Sequence, residues 1–374
     1  MSSFRQRANR RLYRLLYGAY RAAFRTASPH RLRPAELRRA LIIRNDAVGD
    51  LIVTTPVLSF LAEAAPYAQV DVLASRSNYS LITGDQRVHH CYLSPTTARG
   101  WLALFRTLRA RRYDVIYSLR YGRAMREGLI SSLAAGPTTQ KISVFRPKRY
   151  HGLFTRLVRT PRRATHMAER LLHVAASALD LGVDSVDVSL DRYPIRLTSS
   201  RDADNLAAEF LDAKGLTEFV VVNFSAREAE RDWPAAGCAR VVSDLAKRHP
   251  DLAFVIITPA LRRGEAEAIA AASSSSRVVV FPPSSNLLVI AALVRRARIT
   301  ITPDTAAVHV AAATGCPVLG LYLQLKTRLW LPLGVPHRIL QANSGSPIAS
   351  IPDAAIIDAF EQLWSEAVAR LSNR

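Results

Sequence analysis

From residue 39 onward, short β-branched apolar runs alternate with longer segments whose apolar residues recur every three or four positions. Residues 40–44, 69–74 and 115–119 read as buried strands, with helices near 51–65 and 101–111 between them. Strands that are apolar on both faces and separated by amphipathic helices predict a parallel sheet covered on each side. The pattern weakens across 141–200, where 184–194 has the look of a connector, and then restarts. Strands are expected at 219–223, 254–258, 277–281, 299–302 and 317–322, with helices at 235–248, 264–273, 285–295 and 305–314. A last helix, 352–371, follows a Ser/Gly/Pro loop. For 374 residues, two Rossmann-like domains fit the usual domain size. The boundaries expected are an arm over 1–38, domains over 39–195 and 196–345, and a segment 346–374 whose helix packs back on the N-terminal domain.

Charge changes this picture most at the N-terminus. Residues 1–40 hold eleven Arg and one Glu, so roughly a tenth of the chain carries nearly half of the formal excess of +21. At helical spacing, Arg7, Arg10, Arg11, Arg14, Arg21 and Arg25 fall on one side of residues 4–26, opposite Leu12, Leu15, Leu16 and Ala19. This is a basic amphipathic helix. It suits either an anionic membrane surface or packing on the domain with its arginines solvated. A second cationic stretch, 141–163, contains Lys141, Arg146, Lys148, Arg149, Arg156, Arg159 and Arg162 and no acid. Leu153, Phe154, Leu157 and Val158 interleave there at helical spacing. Nucleic acid would attract the same charges, but no recognition helix, aromatic strand motif or zinc finger supports it, so lipid phosphates are the expected partner.

Cys91, Cys238 and Cys316 lie far apart and outside any metal-ligand spacing, which favours a reducing compartment. No apolar run reaches the length of a membrane span, and arginines interrupt the N-terminus where a signal peptide would be apolar. A cytoplasmic protein held peripherally on the inner membrane is expected.

Three strand exits carry candidate chemistry. The first runs Arg44-Asn45-Asp46-Ala47-Val48-Gly49-Asp50 and continues to Thr55-Pro56. An Asp at a strand-to-helix turn either caps the helix or faces the cleft as a carboxylate that accepts a hydroxyl proton. In the second, Pro303-Asp304-Thr305-Ala306-Ala307-Val308-His309, helix-opening N–H groups on Thr305 and Ala306 suit a diphosphate. Asp304 there either caps or accepts sugar hydroxyls, and His309 supports the loop or sits in the core. The third spans Asn223-Phe224-Ser225-Ala226 to Arg231-Asp232-Trp233-Pro234, bringing a cation and a hydroxyl to the same edge. Asp202-Ala203-Asp204 reads as a helix cap rather than a metal motif. No G-x-G-x-x-G or P-loop motif is present.

Together and in order, these segments resemble glycosyltransferase family 9, the ADP-heptose:lipopolysaccharide heptosyltransferases. The first is similar to R-x-D-x-x-G-D-x-x-x-x-T-P and the second to D-T-[AGS]-x-x-H-[LIV]-A-[AS]-A. The third resembles N-P-G-A…K-x-W-P, with Phe224-Ser225 in place of Pro-Gly and Arg231 in place of Lys. The resemblance implies a GT-B fold and inverting, metal-independent transfer of a heptose from a nucleotide-activated donor to a lipid-linked, phosphorylated core oligosaccharide. It implies Asp50 as general base. Asn223, Ser225, Arg231, Asp304, Thr305, Ala306 and His309 would serve the donor, and Arg44, Asp46, Gly49, Arg120 and Arg123 the acceptor. It implies no cofactor beyond the nucleotide sugar. Residues 258–263 offer no acid where the family often has one for the donor ribose.

Overall fold

The computed structural model describes residues 28–120, 124–145, 152–161, 166–181, 187–273, 275–323 and 328–372. The expected amphipathic helix over 4–26 lies outside them, as does Arg123. Two six-stranded sheets form, and every strand pair in them is parallel. The first contains β1 (Arg39–Arg44), β2 (Gln69–Ala74), β3 (His90–Leu93), β4 (Val115–Ser118), β5 (Gln140–Val144) and β6 (Arg156–Val158), ordered 3-2-1-4-5-6. The second contains β7 (Phe219–Asn223), β8 (Ala253–Ile257), β9 (Val278–Val280), β10 (Ile299–Pro303), β11 (Val318–Tyr322) and β12 (His337–Gln341). Its order, 12-11-10-7-8-9, is the same winding repeated. These are the two Rossmann-like lobes of a GT-B fold. In each the order reverses beside the first strand, and ligands of such sheets bind outside that reversal.

Helices cover both faces. In the N-terminal lobe they are α1 (Val48–Ile52), α2 (Thr55–Ala64), α3 (Ala98–Ala110), α4 (Ala124–Ala134) and α5 (Met167–Ala176). Then come α6 (Arg201–Ala213), α7 (Ala235–Arg248), α8 (Arg263–Ala272), α9 (Leu287–Arg296), α10 (Ala306–Thr314) and α11 (Asp353–Ser372). One hydrophobic cluster runs from Ile42 and Val72 through Leu171 and Leu172 to Val308 and Ala311, so the inner faces of both lobes share a core.

Four expectations need correction. The helix over 51–65 is two, α1 and α2. Pro56 has no N–H to give to a continuous helix, and it is accommodated in the first turn of a new one. The last helix does not return to the N-terminal domain. Phe360 and Leu363 of α11 are buried in the second lobe with Val220 and Phe254, and the helix lies on α7 and β12. Asp202 and Asp204 do not cap a helix but occupy the first turn of α6, where Asp204 pairs with Arg295 of α9 at 2.9 Å. Residues 153–158 are not helical: they lead into and form β6. With that strand, two cations of the 141–163 stretch turn inward. Lys141 is 2% exposed with Nζ 2.7 Å from Ser132 Oγ, burial lowering its pKa to about 8, and Arg156 donates to the Ser177 carbonyl. Each inward cation has a polar partner waiting for it, as buried polar groups generally do.

Candidate active site

β1 carries Arg44 to the cleft edge, where its side chain is 1% exposed. Nη1 donates to the Leu119 carbonyl at the exit of β4 (2.9 Å), and Nε donates to the Asp50 carbonyl (3.0 Å). Nη2 bonds the same Asp50 carbonyl and lies 3.2 Å from Asp50 Oδ1, while Nη1 stands 3.1 Å from Asp46 Oδ2. One planar fork thus ties the two strands flanking the reversal point to both aspartates of the turn. From the β2 side, Asn78 Nδ2 donates to the Arg44 carbonyl (2.9 Å).

The two aspartates live differently. Neither caps the helix, since Ala47 is the N-cap of α1 and no side chain accepts there. The Asp46 carboxylate is buried and accepts no hydrogen bond at either oxygen. Burial pushes it up to about 6, aided by the Asp50 charge and opposed by Arg44 and Arg120. The Asp50 side chain keeps 28% of its surface open. Beside them Asn45 is buried, and neither its amide oxygen nor its nitrogen has a protein partner. Arg120 follows β4, its Nη1 3.1 Å from Oε1 of the fully buried Glu127.

In the second lobe, Asn223 ends β7 and organises the loop beyond it. Its Nδ2 donates to Thr302 Oγ1 (3.0 Å), Thr305 Oγ1 (3.2 Å) and the Ser225 carbonyl (3.2 Å). Its Oδ1 accepts from the Ser225 N–H and hydroxyl. Thr305 caps α10 by accepting the Ala307 N–H (3.3 Å), so Ala306 opens the helix and Asp304 is not spent on capping. Arg231 reaches Asp304 instead, with Nη1 to Oδ2 at 3.4 Å, and its side chain is 42% exposed. Burial raises the Asp304 carboxyl, with Arg231 pulling against it and Glu228 adding to it.

The two constellations meet at Gly49. A Cβ there would stand 2.6 Å from His309 Cδ2, so only glycine admits the ring of α10 against α1. His309 also meets the Trp330 ring edge-on at 5.8 Å, and burial lowers its pKa to about 4. It is therefore a neutral ring at the joint between lobes. His166, which caps α5, is likewise lowered to about 4 and bonds the Leu331 carbonyl across the same joint (3.0 Å).

This arrangement can be set beside known proteins. The model of the family "Glycosyltransferase family 9 (heptosyltransferase)" matches residues 101–353, more than half of the chain. The chain belongs to glycosyltransferase family 9. Within that family it is 26% identical over 297 residues to lipopolysaccharide heptosyltransferase 3 of Escherichia coli (strain K12), spanning 76% of this chain and 82% of that one. A family 9 crystal structure from Veillonella parvula DSM 2008 superposes with a TM-score of 0.77 at 19% identity, covering 91% of this chain and 100% of that one. The E. coli ADP-heptose lipopolysaccharide heptosyltransferase II gives 0.70 at 19%, over 88% and 99%.

Sequence reasoning passed over several residues of this family member's site. Asp232 accepts the Ala226 N–H (2.9 Å) and pairs with Arg262 Nη1 at 2.5 Å. The Arg262 guanidinium lies over the Phe224 ring, 4.7 Å from its centroid, and also binds Glu265. The Arg262–Glu265 spacing of three was visible in the chain. The link to Asp232, thirty residues away, was not. Asn78, Glu127 and Trp330 carried no local signal either.

Proposed function

We propose that this enzyme is an inverting, metal-independent transferase that moves a heptose from ADP-heptose to the core oligosaccharide of lipopolysaccharide. The observation that carries the reading is the Arg44 group, which leaves Asp50 as its one part-exposed carboxylate at the cleft edge. Asp50 takes the proton of the attacking acceptor hydroxyl as the oxygen approaches the anomeric carbon from the face opposite the diphosphate. Arg231, exposed and only loosely paired, turns to the departing diphosphate and neutralises its growing charge. The opening of α10 at Thr305 and Ala306, with the Ser225 hydroxyl nearby, holds the same phosphates. Asp304 accepts donor sugar hydroxyls, while Asn223 and His309 shape the loop and the helix behind it. Residues 39–195 bind the acceptor and residues 196–345 the donor. Arg120, with Arg123, meets acceptor phosphates, and the amide of Asn45 offers both a donor and an acceptor to a sugar. Arg44, Asp46 and Gly49, expected at the acceptor, are buried and act instead by holding Asp50 in place. An ADP-heptose donor is supported by the likeness to the E. coli ADP-heptose lipopolysaccharide heptosyltransferase II. The acceptor being lipid-linked, the protein works on the cytoplasmic face of the inner membrane, with the cationic arm 4–26 toward anionic lipid. Among the described residues no helix is long and apolar enough to cross a membrane.

Replacing Asp50 by Ala tests the reading. Turnover falls at least a thousandfold while ADP binding by calorimetry stays within about twofold. Retained turnover overturns Asp50 as base. A second reading, the same chemistry on another nucleotide sugar, is favoured by the 258–265 segment, where Glu265 is engaged by Arg262. A thermal-shift screen of nucleotide sugars separates the two, because the true donor stabilises the native state most.

A further inference from the structure

The helix α3 lies on the outer face of the N-terminal lobe with α4, over the small cluster of Leu41, Leu73, Ile116 and Ile130. It is bound shallowly: of its 13 residues only Leu108 is fully buried. Arg99, Leu102, Arg106 and Arg109 fall within an arc of about 80° on the opposite side. Leu102 is 53% exposed, and Leu129 of the adjacent α4 is 43% exposed. Trp101 and Phe105, half-buried with rings 5.3 Å apart, flank this face.

Charge decides what could cover it. Residues 86–113 hold six Arg and no Asp or Glu. Arg87 and Arg111 are taken by Asp85 and Asp71, and Arg109 donates to the Ala135 carbonyl. Among the described residues no ion pair holds Arg99 or Arg106, and both are exposed. A second copy of the chain would set arginine against arginine. A nucleic acid would meet the cations but offers no apolar layer to Leu102 and Leu129. An anionic bilayer offers both, with phosphates at the headgroup level and acyl chains just beneath. The placement also fits: α3 starts just beyond β3, which runs parallel to β1, so the helix begins at the edge where Asp50 emerges.

We propose that the outer face of α3, with Leu129 of α4, is a docking surface for anionic phospholipid. Arg99 and Arg106 bind headgroup phosphates, and Leu102 enters the acyl boundary. This extends the membrane partner named for the arm into the folded lobe, and it rests on the transferase reading only for the lipid-linked nature of the acceptor.

The test uses the full chain and vesicles of phosphatidylglycerol with phosphatidylcholine, against phosphatidylcholine alone. Arg99→Glu with Arg106→Glu lowers partitioning onto the anionic vesicles by roughly tenfold or more. Leu102→Glu lowers it several-fold, and Arg99→Lys with Arg106→Lys keeps it. These positions are on the surface, so the thermal midpoint stays unchanged. Unaltered partitioning of the charge-reversed and Leu102 variants overturns the proposal. So does loss of self-association or of duplex DNA binding in those variants with vesicle binding intact. Turnover on a deacylated, soluble acceptor is read in parallel. Its absence in the parent protein overturns the transferase reading and leaves the vesicle result standing.

Discussion

Each lobe sets an arginine beside an aspartate at its strand exits, Arg44 with Asp50 at the end of β1 and Arg231 with Asp304 beyond β7 and β10, and the two pairs are built differently. Arg44 is sealed, 1% exposed, and holds two strand exits and two carboxylates with a single fork. Arg231 is 42% exposed and touches Asp304 at 3.4 Å from a loop. A buried charge network has one geometry, because leaving any member unpaired is costly. An open pair of this kind contributes little to stability and exchanges partners readily. On the mechanism proposed above, the first fixes the base and the second meets a charge that arrives and departs.

The comparison can be broken most directly by deleting each arginine. Arg44→Met leaves Asp46 as an uncompensated buried charge and costs roughly 3–5 kcal/mol in urea unfolding, whereas Arg231→Met costs under about 1 kcal/mol. Activity reverses the emphasis: Arg231→Met keeps the fold and loses about two to three orders of magnitude in kcat. Equal stability losses would end the distinction. The joint between the pairs should respond next. Gly49→Ala drives a Cβ to 2.6 Å from His309, so a destabilisation of about 1–3 kcal/mol is expected. In a double-mutant cycle His309→Ala relieves most of that loss, and additive effects would place the crowding elsewhere.

A pH titration sharpens the difference in burial. Asp46 titrates at about 6 in the fold and at the ordinary carboxylate value near 3.8 when unfolded. Between those values the folded state holds the extra proton, so stability falls as pH rises through the window, by at most roughly 3 kcal/mol. Asp46→Asn removes that slope.

The strand and helix alternation was legible wherever burial on both faces demanded continuous apolar runs, as in Phe219–Asn223 and Ala235–Arg248. It failed where that demand lapses. β3, β6 and β12 carry half-exposed residues at or near sheet edges, so their sequences look like loops. β5 is fully buried but contains Gln140, Lys141 and Ser143, whose polarity is met by Ser132, the Ser118 carbonyl and neighbours that no local pattern reveals. The site divides in the same way: the motif residues stand out in the chain, and partners such as Arg262 and Asn78 do not.

By itself the amino-acid sequence determined the doubly wound lobes and the strand exits that carry Arg44, Asp50, Asn223 and Asp304, because periodicity and turn chemistry act over a few residues. Only the tertiary structure decided that Asp46 is buried and Asp50 open, that Thr305 rather than Asp304 caps its helix, and that His309 rests on Gly49. Burial and charge compensation depend on groups brought together from distant strands, and the energies that distinguish one carboxylate from its neighbour exist only once those groups have met.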